Sequence, residues 1–214
     1  MSKTSNIKIT CPACNLRQDF VTWDTVNVLL NPEMKAKVLD KSVFNLTCVN
    51  CHTSALVQYP LLYHDQQKKY MIWLIPSEED TKSPEIPQGP MLMPGYKLRI
   101  VKTINRLIEK IFIFNYELDD RVVEIIKNIV WKARFRRQVE PKDIYFSNAF
   151  TDKGEIIITI EMLNKKGNHN SLRIGGITSD YPLPLKYFFA LGDKELDRAG
   201  WDWIDFNFPM RSGK

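Results

Sequence analysis

The sequence predicts an α+β protein with a β-rich N-terminal module, a helical hairpin and a small C-terminal β element. Three observations lead to this fold class. All four cysteines fall in two CxxC pairs near the N-terminus, among short β-type runs. Two amphipathic segments of helical period follow in the middle of the chain. A last pair of β-type runs then flanks a glycine-containing turn.

Composition divides the 214 residues into four segments. Residues 1–75 form the β-rich module. Residues 76–94 contain five of the twelve prolines, which oppose helix and central strand, so a linker or a long surface loop is expected. Residues 95–138 predict a basic helical hairpin, and residues 139–214 a C-terminal region of β and aromatic character.

The helical hairpin is predicted from two segments, 97–114 and 119–136, joined by a short connection. At about 100° per residue, apolar side chains share one face of each segment. On the first segment the opposite face is basic, with Arg99, Lys102, Arg106 and Lys110. Two such helices should pack antiparallel.

The C-terminal region predicts a β-hairpin over residues 143–163. The runs DIYFSNAF and EIIITIEML flank TDKG, in which Gly154 suits the turn. The aromatic runs YFFALG and WDWIDFNF near the end of the chain are expected to pack in a core.

The N-terminal sequence has no apolar run of signal-peptide length, and no segment approaches the roughly 18 apolar residues of a membrane span. We therefore expect a soluble, cytoplasmic protein with no membrane contact. Thiols stay reduced in that compartment, so paired cysteines are expected to bind metal rather than to form disulfides.

The two cysteine pairs predict a tetrahedral metal site. Each CxxC turn can bring two sulfurs to one side of a metal, and two turns complete the closed four-thiolate set of structural Zn²⁺. The N-terminal module is accordingly expected to be zinc-ribbon-like. A rubredoxin-like iron site stays open, because tetrahedral sulfur suits either metal. The ligands are Cys11, Cys14, Cys48 and Cys51.

Four thiolates leave no position on the metal for water, so we expect no catalysis there. His52 directly follows Cys51 and is a candidate ligand. We expect it instead to be a neighbour in the left-handed conformation at the end of the turn.

These residues resemble the CpXC family of prokaryotic proteins. The resemblance extends over about residues 7 to 130, through CPAC at 11–14, NPEMKAKVLD, LLYHD, MIWLIP, RIVKTINRLIEKIF and LDDRVVEIIK. The second pair, CVNCH, departs from the family pattern of a proline after the first cysteine and a glycine after the last. The resemblance implies the zinc site and the architecture, and no particular activity.

Acidic residues gather at the start of the second predicted helix. Paired carboxylates can serve acid–base chemistry or bind a divalent metal. Acids at a helix start also cap free N–H groups and complement the helix dipole, which is the role expected here. A hydrolase centred on these acids is the third functional hypothesis. The residues are Glu117, Asp119, Asp120 and Glu124.

The basic excess lies in one segment. Residues 95–138 contain eleven Lys or Arg and five Asp or Glu, a local charge of +6 against +5 for the whole chain. Trp131 and Phe135 could stack on bases beside these cations. A solvated or protein-facing surface is the competing interpretation. The candidate phosphate contacts are Arg99, Lys102, Arg106, Lys110, Lys132, Arg134, Arg136 and Arg137.

The expected function is therefore a non-catalytic interaction or adaptor module, with Zn²⁺ in a structural role and another protein as partner. Nucleic-acid binding through residues 97–137 is the alternative. The sequence predicts no oligomeric state.

Overall fold

The computed structural model describes residues 2–76, 95–135, 137, 139–164, 169–177 and 201–202. Within them lie three α-helices and eleven strands, which confirms the α+β prediction. None of the described helices has the length and apolar character needed to cross a membrane. The predicted linker, apart from Pro76, and most of the aromatic tail lie outside the described residues.

The chain forms two compact units, Met1–Ile108 and Glu109–Lys214. The four-segment division proposed from composition stays a prediction.

The first unit is built on a mixed sheet. In order across the sheet the strands are β1 (Lys3–Thr10), β2 (Arg17–Asn27), β5 (Leu61–Asp65), β6 (Tyr70–Leu74) and β7 (Lys97–Val101). The β2–β5 and β6–β7 pairs are parallel, and the β1–β2 and β5–β6 pairs are antiparallel.

Between β2 and β5 the chain forms the elements that carry the second cysteine pair. Helix α1 (Glu33–Leu39) buries Met34 and Val38, four residues apart on one face. A 3₁₀ turn, Ser42–Phe44, then leads into the antiparallel hairpin of β3 (Asn45–Thr47) and β4 (Ser54–Leu56). Buried Phe44 and Leu46 extend the apolar core up to this hairpin.

In the second unit a three-stranded antiparallel sheet follows the helices. Its strands are β8 (Val139–Asp152), β9 (Glu155–Asn164) and β10 (His169–Ile177), in the order β10-β9-β8. The predicted hairpin is confirmed, since Lys153 and Gly154 make its turn with φ of 50° and 84°. Its strands are longer than expected, and β10 was not anticipated. The two-residue strand β11 (Trp201–Asp202) lies near the end of the chain.

The two predicted helices are present as α2 (Ile104–Asn115) and α3 (Asp120–Val130), and a π-helical turn, Trp131–Phe135, follows α3. The helix expected over 97–114 is wrong at its start, because residues 97–101 form β7, parallel to β6. Pairing with a buried strand outweighs a helical pattern at a segment rich in Leu, Ile and Val. The helix begins at Ile104 instead, directly after Thr103, whose Oγ1 accepts the Arg106 N–H at 3.2 Å.

Candidate metal centre

The structure brings all four cysteine sulfurs together, within 4.8 Å of one another. One pair lies in the connection between β1 and β2, and the other at the tip of the β3–β4 hairpin. Across the two loops, Cys11 Sγ lies 3.6 Å from Cys51 Sγ, and Cys14 Sγ lies 3.6 Å from Cys48 Sγ. Residues 34 and 40 positions apart in sequence thus form one cluster.

Both CxxC loops fold in the same way. In the first, Cys11 N–H donates to Leu16 O at 2.8 Å, and Asn15 N–H donates to Cys11 O at 3.0 Å. In the second, Cys48 N–H donates to Thr53 O and His52 N–H donates to Cys48 O, both at 3.0 Å. The repeated pattern defines two equivalent knuckles, called here the first and second knuckle.

Each knuckle ends on a residue in the left-handed conformation. Asn15 has φ of 59° and His52 has φ of 57°. Asn adopts this region readily, and His is also enriched there. The left-handed conformation expected of His52 is therefore confirmed, and the gathered ligand atoms are those of the four cysteines.

A glutamine on β2 ties that strand to the hairpin that carries the second knuckle. Gln18 Nε2 donates to Thr47 O at 3.1 Å, and Gln18 Oε1 accepts from Val49 N–H at 3.1 Å. Both ends of one amide group are thus used to fix the distance between β2 and the hairpin. Sequence reasoning missed Gln18, because a polar residue near the start of a strand carries no local signal of a long-range contact.

The four thiols differ in exposure. Cys11 and Cys48, the first cysteine of each knuckle, are 1% and 0% exposed. Cys14 is half-buried and Cys51 is exposed. The cluster therefore has a buried side towards the core and an open side at the second knuckle.

Hydrogen bonds and burial give the thiols different pKa values. The Thr53 hydroxyl and backbone N–H lower the pKa of Cys51 to about 6. The Leu16 N–H, followed by the Asn50 side chain, lowers the pKa of Cys14. At Cys48 the N–H groups of Cys51 and Asn50 also lower the pKa, but burial and the neighbouring thiols outweigh them and raise it to about 11. N–H groups aimed at sulfur are the environment that stabilises metal-bound thiolates.

The cluster fits a tetrahedral metal ion. Four ligands at a Zn–S distance of about 2.3 Å would place their sulfurs roughly 3.8 Å apart. The two cross-knuckle separations of 3.6 Å are close to this value. Four thiolates around one ion leave no open position, so the donor set suits a structural ion rather than a catalytic one.

The acidic residues predicted to cap α3 have separate roles. Asp119 is the N-cap, since its Oδ1 accepts from Arg121 N–H at 2.9 Å, which confirms capping at this position. Glu117 is exposed in the connection before it. Asp120 and Glu124 are buried and do not cap the helix through an exposed carboxylate. They contact Lys110 Nζ at 3.0 and 3.1 Å.

A buried ionic cluster in the second unit explains why Asp120 and Glu124 do not act as exposed caps of α3. Lys110 and Lys127 lie among three carboxylates, with Lys127 Nζ 2.8 Å from Glu124 Oε2. Glu109 Oε1 also accepts the Phe146 N–H at 2.7 Å, which joins the cluster to β8. Sequence reasoning missed the cluster, although two lysines and three acids at helical spacing were its signal. Its residues are Glu109, Lys110, Asp120, Glu124 and Lys127.

The predicted basic face does not form on one helix. Arg99 lies in β7 and Lys102 precedes α2, so neither belongs to that helix. Arg99 and Lys110 are buried, and Arg106 is half-buried. Lys102, Lys132 and Arg137 are exposed, whereas Arg136 and the side chain of Arg134 lie outside the described parts. Nucleic-acid binding by the segment stays a prediction.

Comparison with known proteins identifies the first part of the chain. A family model described as CpXC protein matches residues 9–127, more than half of the sequence. The match includes both knuckles, all of α2 and α3 as far as Lys127. No curated protein and no solved structure matches the chain.

Proposed function

The chain belongs to the CpXC family, and we propose that it is a non-catalytic protein-interaction module whose two knuckles bind one structural Zn²⁺. The observation that carries the proposal is the gathering of four thiols from two equivalent knuckles within 4.8 Å of one another. The proposed setting is the reducing cytoplasm, where such thiols stay free to bind metal.

A structural ion would act on the fold of the first unit. The first knuckle joins β1 to β2, and the second caps the short β3–β4 hairpin. A two-stranded hairpin is marginally stable by itself in water. The ion would tie it to the main sheet, which supports a zinc-ribbon-like role and gives the metal a reason to be retained without catalysis.

The interaction role is supported by exposed apolar side chains. Val49, at the tip of the second knuckle, is 71% exposed, next to the cysteine that the metal would hold. A rigid turn that presents an apolar side chain suits recognition, because little conformational entropy is lost on binding. Among the described residues of the first unit, the exposed large apolar side chains are those of Ile7, Val21, Leu29, Leu30, Val49 and Leu56.

Elemental analysis of freshly reduced protein tests the metal. We expect one zinc per chain, and none in Cys14→Ser. Asn45→Ala is the matched control, since Asn45 is exposed on β3 and supplies no ligand. A red, iron-containing protein would replace zinc with the rubredoxin-like alternative, and a metal content near zero would refute the proposed site.

Capture of partners from the native host tests the interaction role, with a parallel sample treated with nuclease. We expect a protein partner that survives nuclease treatment and is lost with Val49→Asp. Phe150→Asp is the control, because Phe150 is 40% exposed in the second unit. Capture that is unchanged by Val49→Asp, or that disappears with nuclease, would contradict the proposal.

A further inference from the structure

We propose that the cysteine cluster is also a peroxide-responsive switch, in which exposed Cys51 is oxidised first and then forms a disulfide with buried Cys11 across the two knuckles. The inference rests on the proposed function, because the same thiolates would hold the metal. It adds the order of reaction, argued from the unequal exposure of the four thiols, and a disulfide pairing across the knuckles, argued from the 3.6 Å between Cys11 Sγ and Cys51 Sγ.

Exposure selects the first sulfur. Cys51 is the exposed member of the cluster, whereas Cys11 and Cys48 are at most 1% exposed. Peroxide must reach a thiolate to react with it, so accessible thiolates are oxidised before buried ones. The Thr53 hydroxyl lies 3.4 Å from Cys51 Sγ and provides a polar neighbour for the attacking sulfur and its product.

Proximity makes Cys11 a ready partner for the oxidised sulfur. Cys11 Sγ is 3.6 Å from Cys51 Sγ, and an S–S bond of about 2.05 Å requires only a small approach. Cys11 comes from the core side of the cluster and is already next to the sulfur that is oxidised. External thiols would have to compete with this neighbour for the oxidised sulfur.

The chemistry balances with hydrogen peroxide as the oxidant. The Cys51 thiolate attacks one peroxide oxygen, the O–O bond breaks, and a sulfenic acid and hydroxide result. The Cys11 thiolate then attacks Cys51 Sγ, an S–S bond forms, and the S–O bond breaks with loss of a second hydroxide. Two thiolates lose two electrons in total, and one peroxide is reduced to two hydroxide ions, which solvent protonates.

Oxidation would lower the metal affinity while keeping the knuckles joined. After the first disulfide only the Cys14 and Cys48 thiolates remain, too few for a closed four-ligand site. These two are also 3.6 Å apart and can form a second cross-knuckle bond. A disulfide within one CxxC pair would leave the knuckles unconnected, whereas the cross-knuckle bonds link residues 40 and 34 apart in sequence.

The experiment adds hydrogen peroxide to zinc-loaded protein. A chromogenic chelator follows zinc release, and peptide mass mapping without reduction identifies the disulfides at early times. We expect release of the bound zinc together with a first disulfide between Cys11 and Cys51, and recovery of binding after treatment with a thiol reductant. A first disulfide within one CxxC pair, or release without any disulfide, would overturn the inference.

Two ligand-preserving variants separate the sulfurs. Cys51→His keeps a metal-binding side chain but removes the sulfur proposed to react, so we expect zinc release at least about tenfold slower. Cys14→His has the same ligand types and retains Cys51 and Cys11, so it should still release zinc readily. Equal rates for the two variants would contradict the assignment.

Failure of the switch can be told apart from failure of the proposed function. If reduced wild-type protein contained no zinc, the proposed metal site would be refuted but the disulfide pairing would not. Disulfide mapping of that metal-free protein would still test the pairing of Cys11 with Cys51. If neither histidine variant bound zinc, the order of disulfides in the wild type would decide the inference.

Discussion

Lys127 Nζ lies 2.7 Å from Glu109 Oε1, and neither side chain is more than 1% exposed. Taking these charges out of water is costly, and the contacts recover that cost only while every member has its partner. Two lysines face three carboxylates here, and the excess negative charge is met by the Phe146 N–H and by the start of α3 at Asp120. The cluster thus joins α2, α3 and β8 within the second unit.

Lys127→Ala should lower the free energy of unfolding by about 3–5 kcal/mol, because Glu109 and Glu124 would remain as buried charges without this partner. Denaturant unfolding followed by circular dichroism measures the change. Lys132→Ala is the control, since Lys132 is exposed, and its effect should be within about 0.5 kcal/mol. Equal effects of the two variants would mean that the buried pairs contribute no stability.

Removal of the cap of α3 should lower the free energy of unfolding by less than Lys127→Ala does. Asp119→Ala should lower stability by about 0.5–2 kcal/mol, whereas Asp119→Asn keeps an acceptor and should lose less. Asp120→Asn should cost more than Asp119→Asn, because Asp120 is the buried partner of Lys110 at 3.0 Å. The same unfolding measurement ranks the three variants. The reverse order for the two Asn variants would contradict the assigned roles.

Alkaline pH should destabilise the first unit through its buried tyrosines. Burial raises the pKa of Tyr59 to about 12 and raises the pKa values of Tyr63 and Tyr70 further. The unfolded chain releases these protons near pH 10, so this part of the stability is complete below about pH 10 and declines as pH rises above it.

Ultraviolet absorbance of tyrosinate, recorded with circular dichroism during an alkaline titration, checks this expectation. The three buried tyrosines should ionise together with the loss of structure. Ionisation of all tyrosines near pH 10 with the fold intact would be inconsistent with the burial seen here.

Cys48→Ser should remove the metal and unfold the first unit locally, because structural zinc contributes its binding free energy to folding. Hydrogen exchange with mass spectrometry should show protection lost at β3, β4 and the first knuckle. The α3 helix should keep its protection, since the buried ionic cluster is intact. Loss of protection throughout the chain would mean that both units unfold as one cooperative structure.

Nucleic-acid binding is expected to be absent. Fluorescence anisotropy with single- and double-stranded DNA and RNA, at about 50 and 200 mM salt, is the test, because phosphate contacts weaken steeply as salt rises. Micromolar binding at low salt that is weakened by Lys132→Ala with Arg137→Ala would instead favour the nucleic-acid alternative. Both residues are exposed, so these substitutions should leave the fold unchanged.

The knuckles could be predicted because their signal is local. Residue type and a two-residue spacing determine whether a turn can direct two sulfurs to one point, and both are visible in CPAC and CVNC. The Lys153–Gly154 turn and the capping by Asp119 were accessible for the same reason, since each depends on a few adjacent residues. These features require no knowledge of distant segments.

The burial and pairing of the charged residues could not be predicted from local sequence. A helical period assigns Lys110 to the polar face of α2, yet carboxylates from α3 surround it and bury it. Residues 97–101 have a helical pattern too, but the neighbouring strand β6 makes them a strand. In both cases the deciding partner lies elsewhere in the chain, and local propensity is weak against it.

By itself, then, the sequence determined the α+β class, the two cysteine knuckles and the approximate positions of α2, α3 and the C-terminal hairpin. Only the tertiary structure decided which thiols are buried, which sulfurs are neighbours across the knuckles and which charges are paired in the interior. Ligand spacing, turns and caps depend on adjacent residues. Burial and ion pairing depend on the segments that cover them, and single-chain periodicity carries no information about those segments.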